Sequence, residues 1–489
     1  MPAKHVVSAL ALVLSFVVHS AFAVSLNPRG VGQALIYPYY TVNKSQDTLI
    51  SVVNASSVAK AVQVRFREGL NGRETLSFVL YLSAHDVWTA SISQVADDGG
   101  AAMKTSDASC TAPVIPAAGV ALRSAGYDGT GPVPADAGPT SITRTREGFI
   151  ELIAGADITP GSPTDIAITH VQGVPPGCDA LNDAMTQADE VAPTDGIFGS
   201  GSIVNVGEGT FFAYNADALD GFTAIPLFSP ADEIGPSLLD ANSPEAVSGV
   251  ATAYVADGNG APLALDYAFA IDAVSAVFMA DTIYNEYIVA ATLGANTDWI
   301  VTFPTKEYYV DTEIYPGGPV PPFTSGFVAP GVSNVDIGGD VFDREEGVVS
   351  FGQPCTICPP PLPLPGVSYQ VNVLPLRNDV TPAATASGVF GSNLVSLAIP
   401  PNGDDGNVAL NLATPNGVAH ALSGGLDPNG VAVTLAGLPV AGFMAYNVIN
   451  ANAQPGLLAN YSGVFPHRST TTCQANVTGC VPVNTGSTP

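Results

Sequence analysis

The fold is decided by four short segments near the start of the chain: TLISVVN at 48–54, AVQVRFR at 61–67, TLSFVLYL at 75–82 and VWTASIS at 87–93. Each is rich in β-branched and aromatic residues, and polar residues typical of turns separate one segment from the next. In the second segment, apolar and polar residues alternate: Val62, Val64 and Phe66 against Gln63, Arg65 and Arg67. This period of two is typical of a strand with one buried face.

Four such strands between residues 48 and 93 predict an all-β fold, built from antiparallel β-sandwich modules of the immunoglobulin-like type with long Gly/Pro-rich loops. An up-and-down barrel is the alternative arrangement. In the sandwich, the apolar side chains should face the core and the two arginines should face solvent: Val62, Val64, Phe66 and Trp88 inside, Arg65 and Arg67 outside.

The composition is that of a folded, turn-rich protein. Hydrophobic residues make up 46% of the 489 residues, which is too high for a disordered chain. The chain also has 50 glycines and 41 prolines, which predicts long connecting loops. This length allows roughly two to four domains, each with its own core.

The chain is strongly acidic. With 15 Lys and Arg against 43 Asp and Glu, its net charge is −28, and the basic residues are scattered singly. Nucleic acids and anionic membrane surfaces are recognised by a concentrated positive patch, so neither is an expected partner. An acidic surface suits solubility or weak contact with cations.

Residues 1–23 are typical of an export signal peptide. Lys4 precedes an apolar stretch at 6–18, and Ala21-Phe22-Ala23 matches the small-x-small cleavage pattern, so the mature chain should begin at Val24. An uncleaved anchor helix is the alternative, although the stretch is shorter than the ~20 residues that a span needs. No later segment is long and apolar enough for a transmembrane helix. The sequence therefore predicts a secreted or cell-surface protein.

Export changes how the six cysteines are interpreted, because thiols outside the cytoplasm usually form disulfides. Their spacing favours three pairs: Cys355 with Cys358, Cys473 with Cys480, and the remaining Cys110 with Cys178. A four-cysteine zinc site is less favoured because the last pair is wider than a zinc knuckle. A redox Cys-x-x-Cys is also less favoured, since prolines follow Cys358 where a redox motif would open a helix.

The chain divides into four predicted regions. They are the signal peptide at 1–23, an N-terminal β-sandwich domain at 24–165, a loop region at 166–200 and a C-terminal β domain or domains at 201–489. A short helix is possible at 179–188, and a proline-rich insertion occupies 312–366. The β block that contains Trp299 should pack apart from the first sandwich or end to end with it.

Eight motifs are spread over most of the mature chain: NPRG at 27–30 with GQALIYPYYTVN at 32–43, DVWT at 86–89, DASCT at 107–111, REGFIE at 146–151, TDWIVTFPTK at 297–306, GLPVAGF at 437–443 and NYSG at 460–463. Together with the strand at 62–67, they resemble a group of exported proteobacterial proteins that has no established function. The resemblance implies a single shared architecture and carries no activity.

Motifs of catalysis are nearly absent. The sequence contains no Gly-x-Ser-x-Gly elbow, no His-Glu-x-x-His pair, no phosphate loop and no dinucleotide fingerprint. The mature chain has widely separated histidines, which we interpret as surface or capped residues: His85, His170, His420 and His467. We therefore expect no catalytic residue, no cofactor and no metal ligand.

Some residues are weak candidates for binding. The best calcium candidate is the segment NGDDGN at 402–407, although a plain turn is favoured, and acidic pairs at 97–98, 345–346 and 404–405 are expected by chance in so acidic a chain. Tyrosine clusters could form a sugar-binding shelf, but half-buried strand positions are favoured for them: Tyr37, Tyr39, Tyr40, Tyr308 and Tyr309.

Three functional hypotheses follow. The favoured one is a non-catalytic exported or cell-surface protein with a scaffold or adhesion role, whose partner is a cell-surface or extracellular polymer. The alternatives are a carbohydrate- or calcium-binding extracellular module and a hydrolase with an unrecognised site, in which two distant carboxylates could act. A cleft with converging carboxylates would favour the hydrolase, and a shallow aromatic shelf would favour the sugar-binding module.

Overall fold

The structure is a computed structural model that describes residues 23–95, 99–230, 235–242, 250–256, 262–313, 315–352, 366–378, 385–414, 419–450, 454–474 and 483–484. The strands of the first half are β1 (Ala23–Leu26), β2 (Ala34–Thr41), β3 (Asp47–Asn54), β4 (Lys60–Glu68), β5 (Glu74–Leu82), β6 (Val87–Gln94), β7 (Ala101–Lys104), β8 (Thr111–Ala112), β9 (Val120–Ala121), β10 (Glu147–Ile158), β11 (Glu190–Val191), β12 (Ile197–Asn205), β13 (Thr210–Asn215) and β14 (Asp217–Asp220).

The later strands are β15 (Ala251–Ala256), β16 (Pro262–Tyr267), β17 (Met279–Ala280), β18 (Thr282–Ile288), β19 (Ala295–Thr302), β20 (Val335–Asp336), β21 (Gly338–Asp343), β22 (Val348–Phe351), β23 (Gly366–Val367), β24 (Val371–Pro375), β25 (Asp405–Asn411), β26 (Ala421–Leu426), β27 (Ala432–Ala436), β28 (Leu438–Pro439), β29 (Ala441–Val448), β30 (Tyr461–Pro466), β31 (Arg468–Thr471), β32 (Cys473–Gln474) and β33 (Val483–Asn484). The α-helices are α1 (Pro163–Ile168), α2 (Asp183–Asp189), α3 (Ala270–Phe278) and α4 (Glu307–Val310).

The four segments that decided the fold form the predicted sandwich. β3 pairs antiparallel with β6 in what we call the outer sheet, ordered β13-β12-β3-β6-β7-β9. β4 pairs antiparallel with β5 in the large sheet, whose relevant part is ordered β1-β14-β2-β10-β4-β5. Val62, Val64, Phe66 and Trp88 are fully buried in the first hydrophobic core, between these sheets. The all-β fold and its core residues are therefore confirmed, while the immunoglobulin-like topology stays a prediction.

Two further sheets form a second core behind the large sheet. The bridging sheet is ordered β24-β19-β29-β30, and the far sheet is ordered β22-β21-β25-β18-β31-β33. Because successive strand residues point to opposite faces, Ile300 of β19 lies in the first core and Trp299 lies in the second. The large and bridging sheets are thus the middle layer of the molecule.

Arg65 and Arg67 correct one expectation, because both are buried instead of facing solvent. They do point away from the first core, as the period of two requires. That side of β4, however, is covered by residues 235–236 and by α4: Arg65 donates to the carbonyl of Pro236 at 2.9 Å, and Arg67 forms an ion pair with Glu307. A period of two shows which side a residue is on, and it carries no information about a further layer on that side.

The packing crosses the predicted domain limits. β12 pairs with β3, and β14 pairs with β2, so residues beyond 200 complete the sheets of the N-terminal block. The block with Trp299 shares the first core through Ile300 and Phe443, which differs from the expectation that it packs apart from the first sandwich or end to end with it. The predicted short helix at 179–188 corresponds to α2, Asp183–Asp189.

The disulfide between Cys110 and Cys178 is confirmed, with Cα atoms 5.2 Å apart. Cys473 is also disulfide-bonded, while Cys355, Cys358 and Cys480 lie outside the described residues, as do residues 1–22 of the predicted signal peptide. Among the helices that the structure describes, none has the length and apolar character of a membrane span.

Candidate functional site

The tyrosines proposed as a sugar shelf lie inside the protein. Tyr37, Tyr39 and Tyr40 on β2 are completely buried, and Tyr308 and Tyr309 on α4 are at most 5% exposed. Their hydroxyls make hydrogen bonds inside the protein. The hydroxyl of Tyr39 donates to Glu147 at 2.9 Å, and the hydroxyl of Tyr309 donates to Asp272 at 2.7 Å. A ligand cannot reach these rings, so they form no shelf.

One constellation of Ser, His and Asp does form near the surface. Ser83 Oγ is 3.3 Å from His170 Nδ1, and the same nitrogen is 3.8 Å from an oxygen of Asp86. A hydrolytic triad needs opposite ring nitrogens, one facing the nucleophile and the other the carboxylate. Asp86 instead accepts from the hydroxyl of Ser109 at 3.1 Å, so this group has the geometry of a loop anchor.

The other three histidines of the predicted mature chain are either held by hydrogen bonds or exposed. His420 is buried and contacts the carbonyl of Asp336 at 3.0 Å, and His85 is exposed. His467 Nε2 lies 3.0 Å from the carbonyl of Ile300 and Nδ1 lies 3.1 Å from the Asn285 amide, while burial lowers its pKa to about 4. His467 is therefore neutral at pH 7 and has both ring nitrogens occupied.

Most notable among the buried polar groups is an ion-pair network between the large sheet and α4. Arg67 is bound by Glu151 at 2.7 Å and by Glu307, and its guanidinium donates to the Tyr308 hydroxyl at 2.9 Å. Arg73 and Asn71 both hold Asp311, at 2.7 and 2.8 Å. The network is enclosed, and one oxygen each of Glu151 and Glu307 is buried in it without a hydrogen-bond partner among the described residues.

The pKa values of this region follow from burial. Burial lowers the pKa of Arg67, but Glu151 and Glu307 outweigh that effect and raise it well above its usual value. Glu307 has a pKa raised to about 8, first by burial, against the opposing effect of Arg67. Lys306 is enclosed by the carbonyls of Ser333 and Tyr369, and burial lowers its pKa to about 7. Perturbed groups often mark active sites, yet these have no opening to solvent and hold layers together.

Residues of the motifs that carry the family resemblance also make hydrogen bonds inside the protein. In TDWIVTFPTK, the carboxylate of Asp298 accepts from the backbone N–H groups of Val389 and Phe390 at 3.0 Å, and Thr302 donates to the carbonyl of Pro38 at 2.6 Å. In REGFIE, Glu147 accepts from Ser392 at 2.6 Å. These motif residues therefore specify how the layers fit together.

The first open candidate is what we call the hydroxyl trough, on the outer sheet. It has a volume of about 540 Å³, and most of its lining is small and polar: Leu49, Ile50, Ser51, Thr89, Ala90, Ser91, Lys104, Thr105, Ser106, Ala117, Ser200 and Ser202. The hydroxyl oxygens of Ser51 and Ser200, on neighbouring strands, are hydrogen-bonded at 3.0 Å. The period of two of β3, β6 and β12 places these hydroxyls outward, opposite the buried Ile50, Trp88 and Ile203.

The second open candidate is what we call the aromatic strip, formed by Tyr461 and Phe465 of β30 and Tyr446 of β29. Tyr461 is 65% exposed and Phe465 is 43% exposed. Between them lies Gly463, which pairs with Tyr446. A Cβ at Gly463 would come within 2.4 Å of the Tyr446 ring, so that ring lies across the glycine. The rings of Tyr446 and Phe465 are 6.3 Å apart with planes only 7° from parallel.

The NYSG motif builds this strip. Asn460 donates to the carbonyl of Glu208 at 2.6 Å and accepts from the backbone of Asn450 at 2.7 Å, which fixes the turn before β30. Ser462 donates to the carbonyl of Phe211 at 2.8 Å and accepts from its N–H, which ties β30 to the edge of the outer sheet. Sequence reasoning missed the strip, although the i, i+2, i+4 spacing of Tyr461, Gly463 and Phe465 was a readable signal.

The calcium candidate is a braced turn. Asn402 donates to the carbonyl of Gly347 at 2.7 Å, and Arg344 lies 3.5 Å from Asp405, where its charge opposes a cation. Among the described residues, no three His, Cys, Asp or Glu side chains converge as metal ligands. The acidic pair at 97–98 lies outside those residues.

Comparison with protein-family models, with curated proteins and with solved structures gives no match. The functional conclusion therefore rests on the geometry of the two open surfaces.

Proposed function

We propose that this is a non-catalytic exported or cell-surface protein with a scaffold or adhesion role, which acts by presenting the surface of its β-sandwich to an extracellular polymer. The observation that carries the proposal is the open face of the outer sheet, where the hydroxyl trough is supported by a fully packed core. An open trough lined by hydroxyls offers many weak hydrogen bonds, which suits adhesion more than catalysis.

The hydrolase and the calcium-binding module have weaker support. The constellation at His170 presents one nitrogen to both partners, which disfavours the hydrolase. The turn at 402–407 has an arginine beside it, which disfavours the calcium-binding module. Export itself rests on the sequence pattern at 1–23.

The test uses the labelled mature protein and the producing cells with their extracellular matrix. We expect wild type to stay bound after washing, and Thr89→Arg or Ser202→Arg in the trough to reduce retention. Ser350→Arg, at an exposed hydroxyl on β22 of the far sheet, is the matched control. His170→Ala should retain wild-type binding. Absence of retention by wild type, or breakdown of the polymer that stops with His170→Ala, would contradict the proposal.

The same material tests export. The intact mass of protein recovered outside the cells should match a chain that begins at Val24. A mass that includes residues 1–23 would show that the predicted signal is not cleaved.

A further inference from the structure

We infer that the aromatic strip is a binding site for a neutral polysaccharide, with sugar rings stacked on Tyr461, Tyr446 and Phe465. The inference rests on the proposed function, because it gives the adhesion protein a ligand class and a second surface. The strip lies on β29 and β30 of the bridging sheet, whereas the trough lies on the outer sheet.

The arrangement of the rings favours a flat, partly apolar ligand. Pyranose rings have an apolar face of C–H groups and a rim of hydroxyls, and aromatic rings offer a matching apolar face. Phe465 stacks on the half-buried ring of Tyr446 with planes 7° from parallel, which holds the exposed ring in place, and Gly463 leaves room for Tyr446 to lie against the strand. Leaving large aromatic side chains at an open surface is unfavourable, so a group of them indicates a binding surface.

The length of the strip favours a polymer. Tyr461 and Phe465 lie four positions apart on β30, which is about 13 Å at roughly 3.3 Å per residue. Leu457 and Leu458, 50% and 43% exposed, are further apolar side chains just before the strip along the chain. Rings in a row on an open strand can contact successive sugar units, whereas a single sugar would use only part of the row.

Charge favours a neutral ligand. Residues 428–467 contain no Asp, Glu, Lys or Arg, in a chain whose net charge is −28, and the Lys44–Glu208 ion pair beside Asn460 adds no net charge. Nucleic acids also stack on aromatic rings, but they need a positively charged groove alongside, and the segment has none. Polyanionic glycans are disfavoured for the same reason. Binding through neutral groups should also change little with salt.

The experiment measures how soluble polysaccharides retard the folded mature protein in native affinity electrophoresis. The neutral probes are hydroxyethylcellulose, glucomannan and dextran, and the comparison probes are polygalacturonate and single-stranded RNA. We expect retardation by at least one neutral probe, equally at low and high salt. Tyr461→Ala and Phe465→Ala should each weaken it roughly 2- to 10-fold, whereas Tyr461→Trp should preserve it.

Phe269→Ala is the matched control, since Phe269 is 62% exposed and lies just before α3, away from the strip on the chain. Thermal unfolding of each variant shows that the fold is intact.

The inference is overturned if the two alanine variants bind like wild type, if only the polyanions or RNA bind, or if no neutral probe binds. If wild type adheres to the matrix yet strip variants adhere equally, the proposed function stands and the strip assignment fails. If wild type adheres to nothing, the proposed function fails.

Discussion

At the residue scale, Trp88 shows what one side chain contributes to the first core. Its ring is fully buried, 5.8 Å from that of Phe78 across the sandwich. Trp88→Ala should lower the free energy of unfolding by about 3–5 kcal/mol through the cavity left behind. Urea unfolding measures this change, with the exposed Phe269→Ala as control, and we expect secretion or surface display to be lost as well. A loss of stability no greater than that of the control would contradict the packing described.

Lys306 provides a residue-scale prediction about pH. Burial lowers its pKa from 10.5 to about 7, so between these values the unfolded state binds a proton that the folded state lacks. The contribution of Lys306 to stability therefore rises with pH across that window, by at most ~1.4 kcal/mol per pH unit, while Glu307, whose pKa is raised to about 8, opposes it below pH 8. Lys306→Met should remove this rise, whereas Lys104→Met, at an exposed lysine, should keep it. Denaturant unfolding from pH 7 to pH 10 compares the three proteins, and parallel curves for wild type and Lys306→Met would refute the assignment.

Residues also show how far sequence reasoning extends. The alternation in β4 was enough to place Val62, Val64 and Phe66 inside, because that pattern depends only on strand geometry. It could not show that Arg65 and Arg67 are covered, since their partners Glu307 and Pro236 are distant in sequence. The same holds for Tyr461 and Tyr446, which become one strip only through the register of β29 with β30.

At the scale of elements, the ion-pair network joins α4 to β4 and β10. Arg67→Met would leave the buried Glu151 without its cation and Glu307 without its donor, and should lower the free energy of unfolding by about 3–5 kcal/mol. Arg344→Met is the matched control, because its pair with Glu345 is exposed and should contribute no more than about 1 kcal/mol. Chemical denaturation measures both. Equal effects would mean that the network is as open to water as the surface pair.

The Cys110–Cys178 disulfide ties the region around α2 to the sandwich. Its cysteines are 68 residues apart, and closing such a loop stabilises by roughly 4 kcal/mol in the chain-entropy model. The double variant Cys110→Ser/Cys178→Ser should therefore unfold at a lower urea concentration. Non-reducing peptide mapping of wild type should recover this cross-link and no free thiol. Recovery of Cys110 linked to Cys473 would contradict the pairing.

At the scale of the whole molecule, the predicted class and the strands were recoverable from local patterns, whereas the layering was not. The sheets are completed by strands far apart in the chain, such as β12 with β3 and β14 with β2. Composition did not indicate these long-range pairings. A glycine- and proline-rich segment has a similar sequence whether it links two separate domains or covers a sheet inside one domain. The hydroxyl trough could not be predicted for the same reason, because Ser51 and Ser200 become neighbours only in the folded sheet.

The position of β1 has a consequence for how the chain is made. β1 lies between two later strands, pairing Ser25 with Asp220 on one side and Val24 with Ala253 on the other. Contacts so distant in sequence form slowly, because a long loop must close before they are gained. The amino-terminal strand therefore cannot complete its pairing in the sheet until β15 has been synthesised. Under the export that we propose, a newly made chain would therefore reach the membrane incompletely folded, which is the state that a narrow translocation channel accepts.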